Sequence, residues 1–354
     1  MNNRFLNTLV RVLREAGQPV EVVAGAEGCR ILVLPHGGRV LGLYPAGDEA
    51  NALWTHEALG NAASARALFE SDAWCNTGGD RTWLAPEADF FLPNHPQSTL
   101  YFQPRQFDPG HYHCVREGDA IRLENDLTLH SYRTGEDLEL KIVKRVEPAA
   151  NPLVNLPGFA GAGALRFAGY ALRSALELCG GGVRTAVGLW HLLQLPHGGE
   201  MLIPTRARCE PKIYFGAIPR GDLAAEDGLV RWALRIPGEH KIGVRASAAT
   251  GRVGYLQGAD AEWTLVVRAF EVDPRGLYCD FPWDNPADTG YAVQACNVSN
   301  AALGHFSELE YHVPAIGGAT GLTRCEDVSQ VWAFRGPRAA VRHAATILLG
   351  KEVL

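Results

Sequence analysis

Residues 127–146 read LTLHSYRTGEDLELKIVKRV, two alternating apolar–polar runs that meet at Thr134-Gly135-Glu136-Asp137. A period of two sends successive side chains to opposite faces of an extended chain, and a glycine among polar residues lets that chain reverse. The segment therefore predicts an antiparallel hairpin.

The same texture recurs on both sides of it. Short apolar or alternating runs occupy 20–23, 29–34, 39–44, 120–129, 171–178, 188–195, 201–204, 230–236, 263–272, 307–314 and 331–334, with Gly and Pro between them. Many short strands separated by turn residues predict stacked antiparallel sheets, and so a mainly β fold with a few short helices. The helices are predicted where the period changes. Phe5, Leu6, Leu9, Val12 and Leu13 follow helical spacing within 1–17, 57–69 is rich in Ala, and 338–349 starts a helical tail reaching 354. No linker composition or fixed-period repeat divides the chain, so 1–354 reads as a single domain. Residues 151–163, NPLVNLPGFAGAG, read as a crossover between its two halves.

Composition narrows the function. The 33 Lys and Arg are scattered against 39 Asp and Glu, for a net charge of −6, which argues against nucleic acid as a partner. No run approaches the roughly 20 apolar residues of a membrane span, and the N-terminus lacks the apolar core and cleavage site of a secretory signal. The eight cysteines are spread without a CxxC pair, as expected of reduced core thiols in the cytoplasm.

Four stretches hold side chains suited to chemistry. Gly37-Gly38-Arg39 permits a tight turn with an arginine directed along a groove. Residues 78–87, GGDRTWLAPE, gather Asp80, Arg81, Trp83 and Glu87, an aromatic ring beside groups able to hold hydroxyls or carboxylates. In 307–315, SELEYHVPA, alternation places Glu308, Glu310 and His312 on one face and Leu309, Tyr311 and Val313 on the other. Crowded carboxylates raise one another's pKa, which suits proton transfer near neutrality; a metal there would need further ligands. In 188–205, His191 offers a side chain that exchanges protons near pH 7. Lys241 in an apolar run, and Asp280 and Trp283 in the loop CDFPWDNPA, add a cation, a carboxylate and a ring.

In this order, GGRVLGLYPAGDEANALW, GGDRTWLAPEADFF, GLWHLLQLPHGGEMLIPT, YFGAIP, HKIGV and GHFSELEYHVPA resemble an uncharacterised bacterial domain family of galactose-mutarotase-like fold, distantly similar to aldose 1-epimerases. The resemblance runs from about residue 20 to 335. It implies an antiparallel β-supersandwich with sugar chemistry in a concave groove and no bound cofactor or metal. In aldose 1-epimerases a late glutamate lies four residues before a proline, as Glu310 lies before Pro314, and His191 is the counterpart of a mid-chain histidine acid. The Tyr-Phe-Asn run that follows that histidine is absent here. The resemblance thus implies Glu310 as base and His191 as acid, with Glu308 beside them. Arg39, Arg81, Trp83, Glu87, Lys241, Asp280, Trp283 and His312 would hold a small-molecule carbohydrate, neutral or acidic, in a monomer or homodimer. A non-catalytic sugar-binding protein and a carbohydrate-cleaving lyase or hydrolase are the alternatives.

Overall fold

A computed structural model describes residues 5–46, 50–154, 156, 162–259 and 261–351. The 127–146 hairpin forms with Ser131 opposite Glu136. Its turn therefore lies a little earlier than expected, at 132–135, where Gly135 takes a φ of 69° and donates its N–H to the Ser131 carbonyl at 2.8 Å.

Two antiparallel sheets of ten strands each form the framework of the described chain. The path through the first runs Glu21–Ala24, Arg30–Leu34, Arg39–Tyr44, Asp80–Ala85, Ala186–Pro196, Gly304–His312, Tyr291–Asn300, Gly238–Arg245 and Lys212–Phe215, and the short Ile316–Gly317 strand pairs with the end of Ala186–Pro196. The second places Arg324–Pro337 and Arg166–Gly180 at its centre, between Glu262–Ala269 and Glu136–Pro148. Leu193, Leu309 and Val293 of the first sheet share one apolar cluster with Ile142, Leu172, Val266 and Val331 of the second. The sheets therefore pack face to face. The expected mainly β fold with few helices is the fold observed.

Helices cover the outer faces. Leu9, Val12 and Leu13 of the helix Leu6–Glu15 pack on Leu32, Leu34 and Leu41 near one edge of the first sheet. Val341, Ala345 and Leu348 of Arg338–Leu349 pack on Leu202, Leu256 and Phe334 of the second. The helix expected at 57–69 is split into a 3-10 turn, Glu57–Gly60, and the helix Ala62–Glu70. Asn61 causes the break: it is extended and accepts the Ser64 N–H at 2.9 Å as an N-cap. Part of the expected 151–163 crossover lies outside the described residues. Among those described, no helix is long and apolar enough to cross a membrane.

Loops, rather than a helix, border the middle of the first sheet's outer face. One runs from the short helix Glu87–Phe91 to Gly110; the other spans 270–290. Most of the polar residues singled out in the sequence gather beneath them.

Candidate functional site

The position of the site follows from strand register. Glu310 lies opposite Leu192 and Gln294, Glu308 opposite Gln194 and Cys296, and His312 opposite Trp190. Trp83 faces Trp190, Arg81 faces Leu192, and Lys241 faces Cys296. Paired residues project to the same side of a sheet, so all of these share the outer face. Gly78 and Gly79 bring the Asp80–Ala85 strand close to its neighbours. Both have positive φ, and a Cβ on either would lie 2.3 Å from a backbone oxygen, that of Trp54 or Val40 respectively. Only glycine fits there.

Every carboxylate on this face has a fixed partner. Arg81 meets Glu308 at 2.9 Å, and Gln194 donates to the same Glu308 oxygen at 3.0 Å. Lys241 lies 3.2 Å from Oε2 of Glu310, and the Trp190 indole donates to that oxygen at 2.8 Å. Asp108 accepts from Arg39 at 3.2 Å, from Trp83 at 2.8 Å and from Trp74 at 3.0 Å. The Asn76 side-chain oxygen bridges Arg39 and Arg81. Arg81 lies over Trp83 and Lys241 over Trp190, each 4.2 Å from the ring centre. His312 stacks on Trp190, its ring centre 5.4 Å away.

A second layer borders the face. Asp280 accepts from Gln294 at 2.7 Å and from the Glu87 backbone at 3.0 Å. The Glu87 carboxylate accepts from Tyr101 at 2.7 Å and from Trp283 at 3.3 Å. Glu87 thus ties the two loops together with both of its oxygens.

Burial is near complete: Glu310 is 1% exposed and His312 2%. Desolvation lifts the Glu310 carboxyl to about 7, outweighing the opposing pull of Lys241, and Glu308 adds to the rise. Desolvation lowers His312 to about 4, so its imidazole is neutral at pH 7. Burial by itself would push the Lys241 ammonium down, but Glu310, Glu87 and Asp280 reverse this and hold it charged.

Hydrogen-bonding capacity is nevertheless left over. Oε1 of Glu310, both ring nitrogens of His312, the side-chain oxygens of Gln194 and Gln294, Nε of Arg81 and Nδ2 of Asn76 are buried without a protein partner. Each unsatisfied group costs about 1–3 kcal/mol. A folded chain tolerates such a cluster where a ligand or solvent completes it.

The structure brings together Glu308, Glu310, His312, Arg81, Trp83 and Lys241. Arg39 joins them through Asn76, and Glu87, Asp280 and Trp283 form the second layer. His191 does not join them, which corrects its pairing with Glu310. It lies opposite Tyr311 and Thr82 and so projects from the inner face. There Thr82 holds one ring nitrogen at 3.0 Å and Ser174 the other at 3.3 Å. Desolvation, with Arg268 and Lys144 adding to it, drives its pKa well down.

Sequence reasoning missed Trp190, Gln194, Gln294, Cys296, Asp108 and Tyr101 as contributors. The first four lie on strands beside the Glu310 strand and could have been found by extending its alternation across the sheet. Asp108 and Tyr101 come from a loop without periodicity. As for metals, Sγ of Cys296 and carboxylate oxygens of Glu308 and Glu310 lie within 4.8 Å of one another. A divalent ion held there would compete with Arg81 and Lys241 for the same two carboxylates.

Among solved structures, the chain is similar to the GalM/aldose epimerase homologue from C. elegans, with 8% identity, 90% of this chain and 99% of that one covered, and a TM-score of 0.43. It is similar also to the galactose 1-epimerase from Lactobacillus acidophilus, with 9% identity, coverage of 90% and 95%, and a TM-score of 0.40. No curated protein sequence matches. A model described as a family of unknown function (DUF6786) matches residues 6–353.

Proposed function

The chain belongs to that family of unknown function, and from its site we propose that it is a carbohydrate isomerase of the aldose 1-epimerase type. The observation supporting this most directly is the state of Glu310. One carboxylate oxygen is held by Lys241 and Trp190, the other is buried and unpartnered, and the group titrates at about 7. Such a carboxyl is poised to exchange a proton with a bound molecule.

The titration directions reverse the role that the sequence suggested for Glu310. Protonated Glu310 donates its proton to the ring oxygen, and neutral His312 accepts the anomeric hydroxyl proton. The C1–O5 bond breaks as the C1 carbonyl forms. The new Glu310 carboxylate is stabilised by the Lys241 and Trp190 donors already in place. After rotation about C1–C2, ring closure on the other face of the carbonyl returns both protons to where they began. Glu308 positions Arg81.

The test is proton NMR of freshly dissolved α-anomers of neutral, uronic and phosphorylated aldoses with catalytic protein. We expect faster anomer exchange with at least one of them, and a loss of roughly 10²–10⁴-fold in Glu310→Gln. The rate should follow a bell with limbs near pH 4 and pH 7, from neutral His312 and protonated Glu310. Absence of exchange with every sugar overturns the isomerase. Saturation transfer without exchange would instead identify a binding protein.

A further inference from the structure

Beside the catalytic face lies a cleft of about 540 Å³, within the range of roughly 300–1,000 Å³ typical of ligand sites. Trp74, Tyr101 and Asp108 line it and also border the Glu310 face. On that side Trp74 packs 4.9 Å from Arg81 and donates to Asp108, and the Tyr101 hydroxyl reaches Glu87. The cleft and the site therefore share a wall.

Its far side is aromatic and open. Phe102 and Tyr132 line it and are 41% and 37% exposed. Their rings meet edge to face at 6.3 Å, and His130 packs on Tyr132 at 5.0 Å. Exposed rings that organise one another around a concavity mark a binding surface more than a folding core. The charges in the cleft are already spent. Asp108 is paired with Arg39, and Asp72 with Arg105 at 3.1 Å. Flat apolar rings without a free charge suit an uncharged ligand with an apolar face and polar edges, as a pyranose ring presents.

We propose that this cleft is a second carbohydrate subsite, so that the ligand is a chain of at least two neutral sugar rings, one at Glu310 and the next against Phe102 and Tyr132. The proposal rests on the carbohydrate reading of the Glu310 face and extends it in ligand length.

The experiment compares affinities by saturation-transfer NMR and calorimetry across neutral gluco-, galacto- and manno-configured glycans of one, two and four rings. The full chain is used, with Phe102→Ala and Tyr132→Ala beside it and circular dichroism checking that both fold. We expect some tetrasaccharide to bind roughly tenfold more tightly than its own monosaccharide, with that ratio falling to within about twofold in either variant. A monosaccharide that binds as tightly as its longer homologues overturns the subsite and leaves the Glu310 reading intact. A length preference undiminished in both variants also overturns it. If no glycan of any length binds, the carbohydrate reading fails and the subsite with it.

Discussion

The two faces of the first sheet make an instructive pair, because both bury charge but the outer one leaves far more hydrogen-bonding capacity unfinished. On the inner face Asp80 accepts from Arg268 at 2.9 Å and from Tyr170 at 2.6 Å. His191 is held by two hydroxyls, Tyr311 donates to Asp327, and Lys144 donates to the Gly38 carbonyl at 2.6 Å. Of the atoms in this set only Nε of Arg268 lacks a partner. The outer face buries Arg81, Lys241, Glu308 and Glu310 as deeply, yet leaves seven side-chain atoms unpartnered between Asn76 and His312. Burial, charge and shifted titration occur on both faces and do not separate a scaffold from a site. Leftover hydrogen-bonding capacity does.

The strongest way to break this contrast is to unpair the inner face. Arg268→Met strands Asp80 between the sheets, and we expect a loss of about 3–5 kcal/mol in urea unfolding. Replacing both partners, Asp80→Leu with Arg268→Met, should recover most of it, because the cost lies in an orphaned charge rather than in a missing attraction. A small effect of Arg268→Met alone would mean that the inner network is as tolerant as the outer one.

The outer face should respond in the opposite sense. Glu310 titrates at about 7 in the folded chain against an ordinary 4.5. Between those values the folded state keeps a proton that the unfolded chain has released, so stability falls as pH rises through the window and levels off above it. The contribution is on the order of 3 kcal/mol. Glu310→Gln cannot release a proton and should be more stable than the parent at pH 8 while matching it at pH 4. Asp327, raised to about 6 by burial, adds a slope of the same sign at lower pH, and that slope should survive in the variant. Unfolding free energies at pH 4, 6 and 8 separate the two.

Much of this was legible in the sequence, for reasons that also mark where legibility ended. Alternation within 307–315 correctly placed Glu308, Glu310 and His312 together, because a strand's period is fixed by its own backbone. The strand Tyr291–Asn300 went unread: YAVQACNVSN is buried along most of both faces, with Gln294 and Cys296 in apolar company, and shows no clean alternation. The resemblance paired His191 with Glu310, and alternation alone could not test that pairing, because period two reveals which residues share a side and not which side faces the neighbouring strand's carboxylates. That depends on register, and a shift of one residue exchanges Trp190 for His191.

His191 therefore supplies the smallest and most discriminating test. His191→Phe keeps a ring to stack on Tyr311, whose centre lies 4.8 Å away, but removes both nitrogens. The Thr82 and Ser174 hydroxyls then lose a partner each, at an expected total cost of about 1–3 kcal/mol. Because the side chain projects between the sheets, anomer exchange per folded molecule should stay within about twofold of the parent. A fall of a hundredfold at unchanged stability would return His191 to the chemistry, and with it the possibility that a proton crosses the sheet through the strand that carries Trp190. Lost stability with exchange intact would leave the two faces as they stand: one closed upon itself, the other completed by what it binds.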